Sequence, residues 1–217
     1  MTHEIRTPLN AINGFSQMLT TPGLELPEEE QRDYSNRIMV NTRLLTDIVD
    51  DLILVSDMES SDKLPGETEA RPVKEIVSDA EKVVIPQVAP GVQLVTKIDL
   101  PENTVIETYP KHLGIALNKL LDNAAKFTKS GSIDVIVCRD GRGLCFCVAD
   151  TGPGIPEDKK EYVFERFTKL YKFSQGTGLG LPVARMIAER MGGSLELDTS
   201  YKNGAKFDLT IPYNPVS

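Results

Sequence analysis

The sequence predicts an α+β protein in two parts: an antiparallel helical hairpin that completes a dimeric four-helix bundle, then an α/β sandwich. Three observations carry this. Tyr34, Ile38, Asn41, Leu45, Ile48, Leu52 and Val55 step by four and three, the seam of packed long helices. A polar stretch, "DMESSDKLPGETEARP", follows and reads as a linker. Beyond it, helix and strand patterns alternate, which builds a layer of helices on a sheet.

The elements follow in order. Ile5, Leu9, Ile12, Phe15 and Leu19 predict an amphipathic helix from Thr2 to about Thr20. Pro8 within it supplies no backbone donor and is expected to bend it or loosen a turn. "TTPGLELPEEE" breaks the pattern, and its acidic run suits the positive end of the second helix. Two helices joined by a short loop leave an apolar stripe uncovered; pairing with a second copy covers it, and packing on the rest of the chain is the plainer alternative. Asn41 is the polar residue of the seam and a candidate register device. Further elements are expected as helices over Val73 to Val84, Pro110 to about Lys129 and Pro182 to Met191, with strands near Gln93 to Asp99, Ser132 to Arg139, Leu144 to Ala149, Ser194 to Thr199 and Ala205 to Ile211. "RDGRG" reads as a hairpin turn.

Composition narrows the classes. With 40% hydrophobic and 26% charged residues among 217, the chain can bury a core and is expected to be soluble. Its net charge of −8 leaves no broad basic surface for a nucleic-acid backbone. No run approaches the roughly 18 apolar residues of a membrane span, and no signal peptide is visible. Cys138, Cys145 and Cys147 are an odd set in strand-like segments, expected to be reduced and structural. Cys145 and Cys147 share one strand face, but a metal site needs more ligands than the neighbouring sequence offers. The abrupt start on a helical motif suggests a fragment of something longer.

Four motifs carry chemistry. In "VADTGPGIP" an apolar strand delivers Asp150 to a loop in which Gly152 and Gly154 allow close backbone approach; the carboxylate there suits an exocyclic amine of a base. In "GTGLGLPVARMIAERMGG", Gly176, Gly178 and Gly180 free the backbone N–H groups at a helix start, making a phosphate cradle. Neither G-x-x-x-x-G-K-[ST] nor G-x-G-x-x-G is present. In "LNKLLDNAAKFT", Lys119, Asn123 and Lys126 share one helix face and Leu117, Leu120, Leu121 and Ala124 the other. An Asn123 amide oxygen suits Mg²⁺, and the lysines suit phosphate. In "YVFERFTKL", Phe164 and Phe167 read as a hydrophobic plug. Taken singly, each has a plainer account: a tight turn, a helix start, a solvated helix face, a piece of core.

Taken in order, the pieces resemble the histidine kinases of two-component signalling over nearly the whole chain. "HEIRTPLN" is similar to the family's H box, "NKLLDNAAKFT" to its N box, "DTGPGIP" and "GTGLGL" to its two glycine boxes, and "VFERF" to its F box. The resemblance implies a dimerisation and phosphotransfer domain over 1–60, a linker over 61–72 and an ATP-binding domain of the Bergerat (GHKL) type over 73–217. It implies that His3 is the phosphoacceptor, a neutral imidazole attacking the γ-phosphorus while Glu4 orients or accepts the proton on its other nitrogen. It gives Thr7 the placing of a hydrolytic water and Arg6 the support of the docked arrangement. ATP would lie among Asn123, Lys126, Phe127, Asp150, Gly152, Gly154, Gly176, Thr177, Gly178, Leu179 and Gly180, with Mg²⁺ on Asn123 and a lid over "TKLYKFSQ". Lys119 stands where the family usually has asparagine, as a phosphate contact or a weakness in metal binding. Related ATPases of the gyrase type place a glutamate there to activate water, which lysine cannot do. The partners implied are a second copy through the hairpin and a response regulator receiver domain, with no nucleic acid and no direct membrane contact by this fragment. The implied setting is the cytoplasmic part of a membrane-bound sensor. A nucleotide-binding dimeric scaffold without catalysis is the alternative.

Overall fold

The structure, a computed structural model, describes residues 2–61, 64–170 and 176–216. Helix α1 (Thr2–Thr20) and helix α2 (Glu28–Ser60) form the hairpin. Three glutamates open α2, where carboxylates meet the unpaired N–H groups of a helix start. Phe15 and Tyr34 hold the two helices together with ring centroids 5.4 Å apart, and Arg37 lies over the Phe15 ring. Helix α1 is continuous through Pro8, which is buried. Asn41 turns its amide to its own helix, donating to the Arg37 carbonyl at 2.7 Å.

The second part is a five-stranded mixed sheet. It comprises β2 (Gln93–Asp99), β4 (Ser132–Asp140), β5 (Gly143–Asp150), β6 (Ser194–Leu197) and β7 (Lys206–Ile211), in the order β2-β4-β5-β7-β6. Among the described residues of this sheet only the β2–β4 pair is parallel, a pairing that the long crossover between the two strands allows. The β4–β5 turn closes on Asp140, whose carboxylate accepts from the N–H groups of Arg142 and Gly143. Helices α3 (Val73–Val84), α4 (Pro110–Phe127) and α5 (Gly180–Arg190) cover one face. The core lies between, where Leu117, Leu120 and Leu121 of α4 meet Phe146 of β5 and Phe207 of β7. Strand periodicity sends Leu144, Phe146 and Val148 inward and Cys145 and Cys147 to the opposite face.

Two features depart from the sequence expectation. The stretch read as a linker is partly ordered: Leu64 is buried in the core, and β1 (Glu69–Pro72) pairs antiparallel with β3 (Val105–Thr108) in a separate two-stranded sheet. In addition, the last turns of the α2 seam face their own chain. Asp51, Val55 and Met58 are buried, and Val55 and Met58 join the main core.

Candidate nucleotide-binding site

The strand β5 ends on Asp150, which is buried, and Oδ1 accepts hydrogen bonds from Gly152 N (2.8 Å) and Ala205 N (3.3 Å). Burial raises its pKa above the ordinary carboxylate value, and these two backbone donors oppose the rise. Thr151 fixes the same turn by donating to the Ser130 carbonyl and accepting from Ser132 N. A residue that sequence reading missed completes it. Gly204 has φ +156°, and a Cβ there would lie 1.9 Å from the Asp150 carbonyl oxygen, so only glycine lets the β6–β7 loop approach. Nothing in the "YKNGAK" loop marks it beforehand, since the constraint comes from a strand more than fifty residues away in sequence.

The second glycine cluster meets the end of α4. A Cβ on Gly176 would come 2.8 Å from Lys126 Nζ. One on Gly178 would strike the Phe167 backbone at 2.8 Å; Phe167 N donates to the Gly178 carbonyl at the same distance, and Phe167 itself adopts φ +64°. Thr177 Oγ1 accepts from Leu179 N, shaping the entry to α5, and Leu179 is buried beneath it. Lys126 Nζ lies 4.7 Å from the centre of the Phe127 ring. Burial, with the neighbouring charge of Lys169, lowers the Lys126 pKa to about 8.

These groups surround one cavity of about 740 Å³. Its wall includes Lys119, Asn123, Lys126, Phe127, Asp150, Gly154, Gly176, Thr177, Gly178 and Gly180. Gly152 and Leu179 are absent from the wall and act through Asp150 and the α5 start. Asn41, Arg43 and Asp47 of α2 line the far side. Phe164 is buried, edge-on to Phe207 and capped by the Arg185 guanidinium, as the plug reading expects. Of the expected lid, residues 171–175 lie outside the described residues; Thr168, Lys169 and Leu170 line the cavity.

Lys119 does not stand free. Its Nζ pairs with Asp51 Oδ1 of α2 at 2.6 Å. The Asp51 carboxyl is buried deeply enough that its pKa rises despite the lysine. The N-terminal residues approach from another side. His3, Arg6 and Thr7 are exposed, Thr7 Oγ1 donates to the His3 carbonyl at 3.0 Å, and Glu4 accepts from Lys169 Nζ at 3.3 Å. That last contact ties the turn bearing His3 to a residue of the cavity wall.

The residues present fit a nucleoside triphosphate. The cavity wall carries both a buried carboxylate, Asp150, and a glycine cradle with Lys126 beside it. For Mg²⁺ the fit rests on Asn123. One neutral oxygen donor suits an ion that keeps its waters and binds chiefly through phosphates.

Helical hairpin, mixed sheet and cavity together define a nucleotide-binding core, and comparison with known proteins gives its family. Residues 1–61 match the His Kinase A (phospho-acceptor) domain, and residues 108–215 the histidine kinase-, DNA gyrase B- and HSP90-like ATPase. The sensory/regulatory protein RpfC of Xanthomonas campestris is 31% identical over 98% of this chain and 30% of its own length. The aerobic respiration control sensor protein ArcB of Escherichia coli is 33% identical over 97% of this chain and 28% of its own. The chain belongs to the histidine kinase family. It spans less than a third of the length of those curated relatives. Two solved structures share the fold: ShkA, full-length in complex with AMPPNP (TM-score 0.73, 24% identity, 99% of this chain and 45% of that one), and the Acinetobacter baumannii histidine kinase AdeS (0.75, 23%, 98% of each). No described helix is long and apolar enough to cross a membrane.

Proposed function

We propose that this chain transfers the γ-phosphoryl group of ATP to His3 and passes it to an aspartate on the receiver domain of a response regulator. The supporting observation is the cavity that gathers Asp150, Lys126 and the Gly176–Gly180 turn, tied to the His3 turn through Lys169 and Glu4. Asp150 accepts the exocyclic amine of adenine with the oxygen that its backbone donors leave open. Phe127 lines the base side. Gly152 and Gly154 keep that loop close, while Thr177 and Leu179 hold the α5 start so that its N–H groups face phosphate. Lys126 neutralises phosphate charge, and Lys119 does so at a distance while paired with Asp51. Asn123 would hold Mg²⁺ through its amide oxygen, and the ion would supply neutralisation of phosphate charge there.

His3 supplies the lone pair. A nitrogen–phosphorus bond forms as the bond to the bridging oxygen breaks, ADP departs, and the proton on the other ring nitrogen passes to Glu4 or solvent. Arg6 steadies the docked arrangement. Thr7, released from the His3 carbonyl, orients water for dephosphorylation of the regulator. The domain division remains 1–60 for dimerisation and phosphotransfer, 61–72 for the connection and 73–217 for ATP binding. The working unit is a homodimer in the cytoplasmic part of a membrane-bound sensor.

Incubation with γ-labelled ATP and Mg²⁺ tests the reading. Acid-labile, alkali-stable label is expected on the wild type and none on His3→Ala. Nucleotide binding without labelling of the wild type would favour the non-catalytic scaffold.

A further inference from the structure

The three cysteines do not scatter over the sheet; they converge on its helix-free face. Cys145 and Cys147 are buried two residues apart on β5, with Sγ atoms 3.4 Å from each other. Cys138 lies directly across from Cys145 on β4, and Asp208 directly across from Cys147 on β7. Cross-strand partners project to the same face, so all four side chains meet on one patch. One ligand atom each from Cys145, Cys147 and Asp208 lies within 4.8 Å of the other two.

Two polar atoms at this patch have only weak partners for their burial. Asp208 Oδ1 is buried without a hydrogen bond, its nearest ionic neighbour being Lys206 Nζ at 3.6 Å. Thr210, across from Cys145 and 3% exposed, has an Oγ1 with no partner other than the weakly bonding Cys145 thiol. Buried polar atoms are rarely left unsatisfied, and a bound ion is one way such atoms gain a partner.

The spacing suits one ion in particular. A tetrahedral zinc with Zn–S bonds of about 2.3 Å sets its sulfurs roughly 3.8 Å apart, within a few tenths of an ångström of the separation found here. We propose that Cys145, Cys147 and Asp208, joined by Cys138 through rotation about its side chain, form a Zn²⁺ site on the outer face of the sheet. Thiolate and carboxylate donors together match the ligand set zinc accepts. Each coordinating thiol loses its proton to solvent as its sulfur–metal bond forms. Lys206, beside Asp208, offsets the excess negative charge of three thiolates and a carboxylate around a divalent ion. Half-buried Cys138 leaves a path of entry. The site would clamp β4, β5 and β7 together three residues before Asp150, so metal occupancy would stiffen the strand that carries the adenine-binding carboxylate.

The reduced, metal-free chain is titrated with Co²⁺ and then Zn²⁺. One equivalent of cobalt is expected to give thiolate-to-cobalt charge-transfer bands and the visible bands of a tetrahedral ion, both erased by zinc, while zinc protects all three thiols from a disulfide reagent. Cys138→Ser, Cys145→Ser and Cys147→Ser should each remove or displace the bands. Asp208→Asn, a change at a partly exposed position that spares the core, should weaken zinc at least tenfold with an unchanged circular dichroism spectrum. Absence of cobalt–thiolate bands in the wild type, bands unaltered by the cysteine changes, or isolation of the chain with two of these thiols already joined as a disulfide would overturn the proposal.

Discussion

His3 and His112 are the chain's two histidines, and burial separates their roles. His112 faces the core from α4, 5% exposed and edge-on to Tyr109; burial lowers its pKa, so it stays neutral and packs. His3 is exposed on the first turn of α1, where an imidazole can be reached by a reactant. Among the cavity residues, Lys126 gives the clearest prediction. Its folded pKa of about 8 lies below the unfolded value of 10.5, so the unfolded chain holds more protons between those values, and stability rises as pH climbs through that interval. Nucleotide affinity should move the other way. Above pH 8 the ammonium that meets phosphate is lost, and affinity for ATP is expected to fall about tenfold by pH 10, in line with one charge-assisted contact. Calorimetric titration across that range checks it, and Lys126→Met should flatten the profile. The motif letters announced Asp150, Lys126 and Gly178. They did not announce Gly204, whose requirement for glycine comes from the Asp150 backbone pressed against it.

Among the elements, α2 belongs to both parts of the molecule. Its first half pairs with α1, while its second half sinks Asp51, Val55 and Met58 against the sandwich. The Lys119–Asp51 pair fastens α2 to α4 beside the cavity. Removing one partner of such a pair leaves a buried charge uncompensated, which typically costs about 3 kcal/mol. Lys119→Met is therefore expected to destabilise the chain by about that amount at neutral pH, and by less at mildly acidic pH, where burial, which raises the Asp51 pKa, helps its carboxyl take up a proton. Urea unfolding at the two pH values measures this, and adding Asp51→Leu should restore most of the loss. The periodicity of α2 was legible from the start. Which half of its seam remains open to another chain was not, since that depends on what α4 and α5 present to it.

For the whole molecule, the hairpin leaves Leu9, Met18, Met39, Val49 and Ile53 between 43% and 56% exposed. Apolar side chains gathered on one hairpin favour burial against a second copy. Light scattering after size exclusion is expected to report a dimer, and the pair Val49→Asp with Ile53→Asp a monomer that still binds ATP. The order of the elements other than β1 and β3, the ends of most strands and helices, the glycine turns and the family were legible in the sequence, because periodicity, turn chemistry and motif order are local properties of the chain. Folding in three dimensions settled the rest: that Lys119 answers to Asp51, that β1 and β3 form a sheet of their own, and that three cysteines and Asp208 share one patch. Each of those depends on residues brought together across tens of positions by strand register and helix packing, and no local pattern encodes that pairing.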